Sequence, residues 1–339
     1  MTPAIFGIAG LELSAEERAF FKEADPAGYI LFARNCDNPE QLRRLTDDLR
    51  AIHGRERLFV SIDQEGGRVQ RMKPPQWTAY PAGEAFDLLY RVAPASAIEA
   101  ARVNAEALAI ELAEMGVTVD FHPPLDVRQP GTHDVIGDRA LGNDPLQVAA
   151  IGRAILDGLA RGGVVGCIKH MPGHGRSMCD SHMEMPQVSA SEEELERDLA
   201  PFRALSHAPI GMTGHLLFTA WDTENPATLS PFVVSEIIRK RIGFEGLLLT
   251  DDIDMEALSG TIPERAVRAN AAGCDLVLNC WATMEDMQGI ANALPRMSEL
   301  STERLYRAMS YAAIPGESAG REQLLAKRDA LMTAAGEAA

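Results

Sequence analysis

The chain has 339 residues, 46% hydrophobic and 24% charged, with 32 basic against 49 acidic side chains and a net charge of −17. That composition suits a buried core, and the length, roughly twice the ~150-residue norm for one domain, fits two domains or one large barrel. The charge excludes a duplex nucleic-acid binder, which needs a basic face for phosphates, and argues against docking on anionic lipid.

Along the chain, short apolar runs alternate with segments of helical period. The first strand is expected at Ala4–Ile8, and Ser14 with Glu17 three residues on reads as a capping box opening a helix. A second strand, Gly28–Phe32, precedes a helix opened by Asn38-Pro39, in which Leu42, Leu45, Leu49 and Ile52 share one face. Strands at Arg57–Asp63 and Val117–Phe121 bracket a long Ala-rich helix, Ile98–Met115, stopped by Gly116. A helix at Pro145–Ala160, a strand at Val164–His170 and a helix at Ser191–Leu205 follow, the last with acids on its N-terminus. Strands at Ile210–His215, Leu247–Asp251 and Asp275–Asn279 alternate with helices at Ser230–Ile242, Pro263–Ala272 and Met284–Leu294.

Most of these strands are apolar on both faces, as in a parallel sheet covered by helices. Eight strand–helix pairs within about 300 residues fit a (β/α)8 barrel better than a doubly wound sheet. The turn after the first strand, Gly7-Ile8-Ala9-Gly10, also lacks the GxGxxG spacing of a dinucleotide site. The predicted fold class is α/β: one (β/α)8 TIM-barrel domain over residues 1–300, with a short helical tail over 301–339 expected on the surface.

No apolar run approaches the ~18 residues of a membrane-spanning helix. Ala4–Ala9 precedes the first basic residue, Arg18, and so lacks the positive flank of a secretory peptide. The five cysteines show no CxxC spacing, and three of them lie in apolar runs. The expected location is a reducing cytoplasm.

Active sites of such barrels lie at the C-terminal ends of the strands. The third strand delivers Asp63-Gln64-Glu65-Gly66-Gly67-Arg68-Val69-Gln70-Arg71, where Asp63 and Arg71 can converge on a polar ligand or form a salt-bridged turn. After the fourth, a loop of about 20 residues running to Gly142 holds His133, Asp134, Asp138 and Arg139, long enough to suggest binding or gating. The Arg139 fork suits hydroxyls or carboxylates. The fifth strand leads into Lys169-His170-Met171-Pro172-Gly173-His174-Gly175-Arg176-Ser177-Met178-Cys179-Asp180-Ser181-His182. There Asp180 could orient His182 for proton transfer, or both could ligate a metal. The sixth strand ends at His215 and the seventh at Asp251-Asp252; only one of that adjacent pair can readily face the mouth, as nucleophile, base or ligand.

These segments carry a resemblance. Ser61–Arg71 (SIDQEGGRVQR), Gly137–Leu141 (GDRAL), Lys169–Gly175 (KHMPGHG), Asp180-Ser181-His182 and Thr250–Met255 (TDDIDM) resemble, in order, glycoside hydrolase family 3 β-N-acetylhexosaminidases of the bacterial cytoplasmic single-domain type. The K-H-x-P-G-H-G…D-S-H string is the specific part; Met171 replaces a common aromatic, and Arg176–Cys179 has its own sequence. The resemblance implies a retaining hydrolase without cofactor or metal. Asp251 would be the nucleophile and His182, oriented by Asp180, the acid/base, an imidazole standing where most glycosidases use a second carboxyl. Asp63, Arg71, Arg139, Lys169 and His170 would bind N-acetylglucosamine. It further implies removal of non-reducing β-1,4-linked N-acetylglucosamine from N-acetylglucosaminyl-anhydro-N-acetylmuramyl peptides in peptidoglycan recycling, with no nucleic-acid or membrane partner and a monomer expected. The alternatives are a metal-dependent barrel amidohydrolase, whose HxH is absent where this chain has Phe6-Gly7-Ile8, a family 3 β-glucosidase, and a non-enzymatic sugar-binding barrel.

Overall fold

A computed structural model describes residues 1–129, 136–177, 185–312 and 320–336, with side chains described as far as 333. In chain order the elements are β1 (Thr2–Gly7), α1 (Ala15–Ala24), β2 (Pro26–Leu31), α2 (Pro39–His53), β3 (Phe59–Ile62), α3 (Gly83–Val92), α4 (Pro94–Glu114) and β4 (Val119–Asp120). They continue with α5 (Pro145–Arg161), β5 (Val165–Met171), β6 (Gln187–Val188), α6 (Glu192–Ala204), β7 (Ile210–Thr213) and β8 (Leu217–Phe218). After a wide-turned helical segment, Val233–Ile242, come β9 (Leu247–Asp252), α7 (Ile262–Ala272), β10 (Leu276–Asn279), α8 (Met284–Ala293), α9 (Glu299–Met309) and α10 (Arg321–Gly336).

Eight of the strands close a parallel barrel in the order β1-β10-β9-β7-β5-β4-β3-β2, and each is followed by helix. The expected (β/α)8 barrel is the observed fold. The seam that closes it pairs Ala4 with Val277, Ile5 with Leu278 and Phe6 with Asn279. The remaining two strands, β6 and β8, form a small separate parallel sheet.

Local chemistry accounts for the helix starts. Ser14 and Glu17 make both hydrogen bonds of a capping box on α1, Asn38 caps α2, and Ser191–Glu194 and Thr261–Glu264 box α6 and α7. The period-2 alternation of each strand divides the apolar side chains into two layers. Ile5, Phe59, Val119, Phe121, Val165, Cys167, Ile210, Leu247, Leu249, Leu276 and Leu278 fill the barrel, whereas Phe6, Val60, Ile62, Ile168, Leu248 and Val277 meet the helices.

Besides the unexpected β6–β8 sheet, the structure departs from expectation in three further respects. Helix α3 was not anticipated. The third and fourth strands are shorter than their apolar runs, at Phe59–Ile62 and Val119–Asp120. The tail is not confined to the surface: Leu305, Ala308, Met309 and Ala312, in and just after α9, are buried in the same cluster as the barrel interior. Buried Asp275, at the foot of β10, anchors α9 by accepting from Ser301 Oγ (2.7 Å) and Arg304 Nη1 (3.0 Å). It also accepts from Arg239 Nη2 (2.8 Å) and the Leu248 amide (3.0 Å). Among the described residues, no helix is long and apolar enough to cross a membrane.

Candidate active site

Strand parity, where it holds, decides which side chains enter the mouth. On β9, Leu247 and Leu249 face the barrel interior and Leu248 the helices, but the pairing with β10 shifts between Leu249 and Asp252, so it is the surroundings of Asp251, among His170, His215 and Lys169, that place it in the mouth. On β3, Phe59 points inward and Val60 and Ile62 outward, which places Asp63 inward just past the strand's end. β3 and β9 lie four places apart in the ring of eight, so Asp63 and Asp251 belong to opposite walls.

β5 does not keep parity. Its pairing with β7 shifts between Ile168 and Met171, and Met171 packs in the outer layer although it lies two residues from Lys169. Lys169 Nζ reaches Asp63 Oδ1 (2.9 Å) and Glu65 Oε1 (2.7 Å). Glu65 also takes a two-pronged bond from Arg139, Nε at 2.9 Å and Nη2 at 2.7 Å. Arg71 Nη2 donates to Asp63 Oδ2 at 3.3 Å. Three cations thus surround two carboxylates, a local excess of positive charge in a chain of net charge −17.

Burial disfavours the Lys169 ammonium, but Asp63 and Glu65 more than offset this and hold it protonated above its usual range. Burial likewise opposes ionisation of Glu65, yet Arg139 and Lys169 hold its carboxyl well below the ordinary carboxylate range.

Adjacent His170 is held by Asp126: Nδ1 lies 2.7 Å from Asp126 Oδ2, and the His170 amide donates to Oδ1 at 3.2 Å. The His174 amide donates to the same Oδ1 at 2.7 Å, so one buried carboxylate fixes both ends of the loop's first turn. Burial lowers the His174 imidazole to about 4.

On the opposite wall, burial opposes the charge on Asp251, but the fields of His170 and His215 and the Asp252 amide (2.8 Å) outweigh it and bring the carboxyl to about 2. His215 sits behind the strand end, Nε2 at 2.8 Å from the Asp252 carbonyl and Nδ1 at 2.8 Å from Thr228 Oγ1. A carbonyl only accepts, so Nε2 carries a proton. Asp252 is pushed up to about 8 by burial and by neighbouring Asp254. Asp254 in turn accepts from Asn279 Nδ2 and from the amides of Cys280 (3.0 Å) and Trp281 (3.3 Å), tying the loops after β9 and β10 together.

Asp63, Arg71, Arg139, Lys169, His170 and Asp251 are therefore all at the C-terminal end of the barrel. Asp180 and His182, like His133 and Asp134, lie outside the described residues. Glu65 and Asp126 escaped the sequence reading. Their bonds are to residues 44 or more positions away, which local spacing does not reveal. Among the described residues, no group of three or more His, Cys, Asp or Glu side chains is arranged to hold a metal ion.

Residues 6–310 match the family model of the glycosyl hydrolase family 3 N-terminal domain. The chain belongs to glycosyl hydrolase family 3. A β-hexosaminidase of Alkalilimnicola ehrlichii is 38% identical over 310 residues, covering 90% of this chain and 88% of its own. One of Chromobacterium violaceum is 40% identical over 316 residues, covering 90% and 86%. Among solved structures, NagZ from Neisseria gonorrhoeae in complex with N-trifluoroacetyl-D-glucosamine superposes with a TM-score of 0.84 at 33% identity, covering 100% of this chain and 98% of that one. The chain is thus a glycoside hydrolase, grouped with the β-N-acetylhexosaminidase type, and the amidohydrolase alternative falls away.

Proposed function

We propose that the chain is a retaining exo-β-N-acetylglucosaminidase that removes terminal non-reducing β-1,4-linked N-acetylglucosamine from (anhydro)muropeptides in cytoplasmic peptidoglycan recycling. The observation that carries this reading is an ionised, inward-facing Asp251 on the wall opposite the Asp63–Lys169–Glu65–Arg139 cluster. A sugar gripped by its hydroxyls at one wall presents its anomeric carbon to a carboxylate at the other. The resemblance to N. gonorrhoeae NagZ, which takes N-trifluoroacetyl-D-glucosamine, supports an N-acylglucosamine unit in that space.

In the first step Asp251 attacks the anomeric carbon while His182 protonates the departing oxygen, leaving a glycosyl ester on Asp251. In the second, His182 accepts a proton from water as the water attacks the same carbon and releases the Asp251 carboxylate. Asp180 orients His182. An imidazole suits this exchange, because its ordinary pKa lies near neutrality and it can serve as acid and then base. Asp63, Arg71, Arg139, Lys169 and His170 bind the sugar, and charged hydrogen bonds that tighten as the ring gains oxocarbenium character lower the barrier.

The test is hydrolysis of p-nitrophenyl N-acetyl-β-glucosaminide by the parent chain, Asp251→Ala and His182→Ala. Loss of Asp251 should lower kcat by about 10³-fold or more. Loss of His182 should abolish the neutral-pH profile, and NMR should show the β-anomer as first product. Full activity in either variant, or an α-product, overturns the mechanism. Release of N-acetylglucosamine from an anhydromuropeptide tests the substrate.

A further inference from the structure

His215 lies two residues past β7 with no exposed surface, and the reaction described above makes no use of it. The backbone it meets is irregular. β7 pairs with β9 as far as Met212 opposite Leu249, so that ladder stops two residues short of Asp251. On the other side the register with β10 shifts: Leu249 faces Leu276 and Asp252 faces Leu278, three steps along β9 against two along β10. There the Leu278 amide donates to a side chain, Thr250 Oγ1, at 3.0 Å. Asp251 thus rides on a bulge, an irregularity that re-aims a side chain while interrupting the ladder that would hold it.

His215 supplies support at that point. Its Nε2 donates to the Asp252 carbonyl at 2.8 Å, and the Asp252 amide donates to Asp251 Oδ1 at 2.8 Å. The ring therefore holds one end of the residue whose other end holds the carboxylate. The ring is fixed in turn by Thr228 Oγ1, 2.8 Å from Nδ1 and 2.8 Å from Thr213 Oγ1, the hydroxyl that ends β7. His215, Thr228 and Thr213 are all fully buried. Burial lowers the imidazole below its ordinary pKa, so at neutral pH it acts as a hydrogen-bond donor and not as a charge.

We infer that His215 is a positioning residue for the nucleophile: braced by Thr228, it takes the place of strand pairing between β7 and β9 and fixes the bulge that aims Asp251. The inference rests on the reading of Asp251 as nucleophile. A ring without exposed surface touches no substrate atom, so its loss should act on kcat and leave sugar binding alone.

The test is hydrolysis of p-nitrophenyl N-acetyl-β-glucosaminide, with inhibition by free N-acetylglucosamine as the measure of binding. His215→Leu should lower kcat about 10- to 100-fold, the scale of a displacement of about 1 Å, while KM and the inhibition constant stay within about twofold. His215→Gln, whose amide nitrogen can stand where Nε2 does, should recover most of that loss. Thr228→Val keeps the donor but frees the ring, and should lower kcat about three- to tenfold, the worth of one hydrogen bond. If His215→Leu does not fold, His215→Gln and Thr228→Val decide. A parent-like kcat in His215→Leu or Thr228→Val, a glutamine variant that stays slow, or a kcat loss matched by weakened inhibition overturns the brace and leaves the nucleophile standing. Full activity of Asp251→Ala overturns the nucleophile and the brace with it.

Discussion

Glu65 holds two cations at once, and its burial makes that arrangement consequential. Replacing it by glutamine keeps the shape but leaves Arg139 and the buried Lys169 sharing less negative charge. Breaking a buried ion pair by removing one partner costs about 3–5 kcal/mol. Glu65→Gln should therefore lower the urea midpoint markedly. In a double-mutant cycle with Arg139→Gln, the pair should cost less than the sum of the two single changes. Additive losses would mean that the contact contributes no coupling.

At this scale the sequence was a good guide to residue types and a poor one to partnerships. Asp63, Arg71, Lys169 and His170 were legible as polar residues delivered where apolar strands end. The role of Asp126 was not, because a carboxylate six residues past β4 is an ordinary loop residue until His170 and His174 fold back on it. Nor could parity alone place Lys169 and His170 at one site. The register shift in β5 depends on how β7 packs beside it.

Among the elements, the decisive contact is the seam between the first and last barrel strands. Gly7 ends β1 there, and a Cβ added to it would stand 2.3 Å from the Cys280 carbonyl oxygen and 2.9 Å from Arg34 Nη2, the group that donates to that carbonyl. Neither neighbour has room to retreat without breaking the other's bond. Gly7→Ala should destabilise the chain by about 1–3 kcal/mol, the usual cost of overpacking, measured by chemical denaturation. A neutral result would show that the seam opens without penalty. The eight strands were readable because each is a compact apolar run, buried on both faces. Helix α3 and the small β6–β8 sheet were hidden because they lie in long connections whose composition fits a loop equally well.

Over the whole molecule, α9 changes how the domain is understood. Its Leu305 and Met309 close the end of the barrel remote from the mouth, and the family match itself runs through residue 310. Leu305→Ala should cost about 2–5 kcal/mol in urea melts, as other large-to-small core changes do. The variant's KM should stay near the parent value well below its unfolding transition. A cost under 0.5 kcal/mol would reduce α9 to a surface attachment. Sequence reading placed this helix outside because its short, mixed pattern carries no sign of which surface it covers.

The opposition of the β3 and β9 walls makes the barrel a caliper. Its jaws are Asp63 and Asp251, and its setting is the layer of side chains beneath them, where Phe59 and Phe121 pack with ring centroids 6.4 Å apart. Removing one methyl group from such a layer costs about 0.5–1.5 kcal/mol of stability, whereas a displacement of about 1 Å in the reacting geometry can cost 10²-fold in rate. Turnover is therefore a finer gauge of that hidden layer than any melting curve.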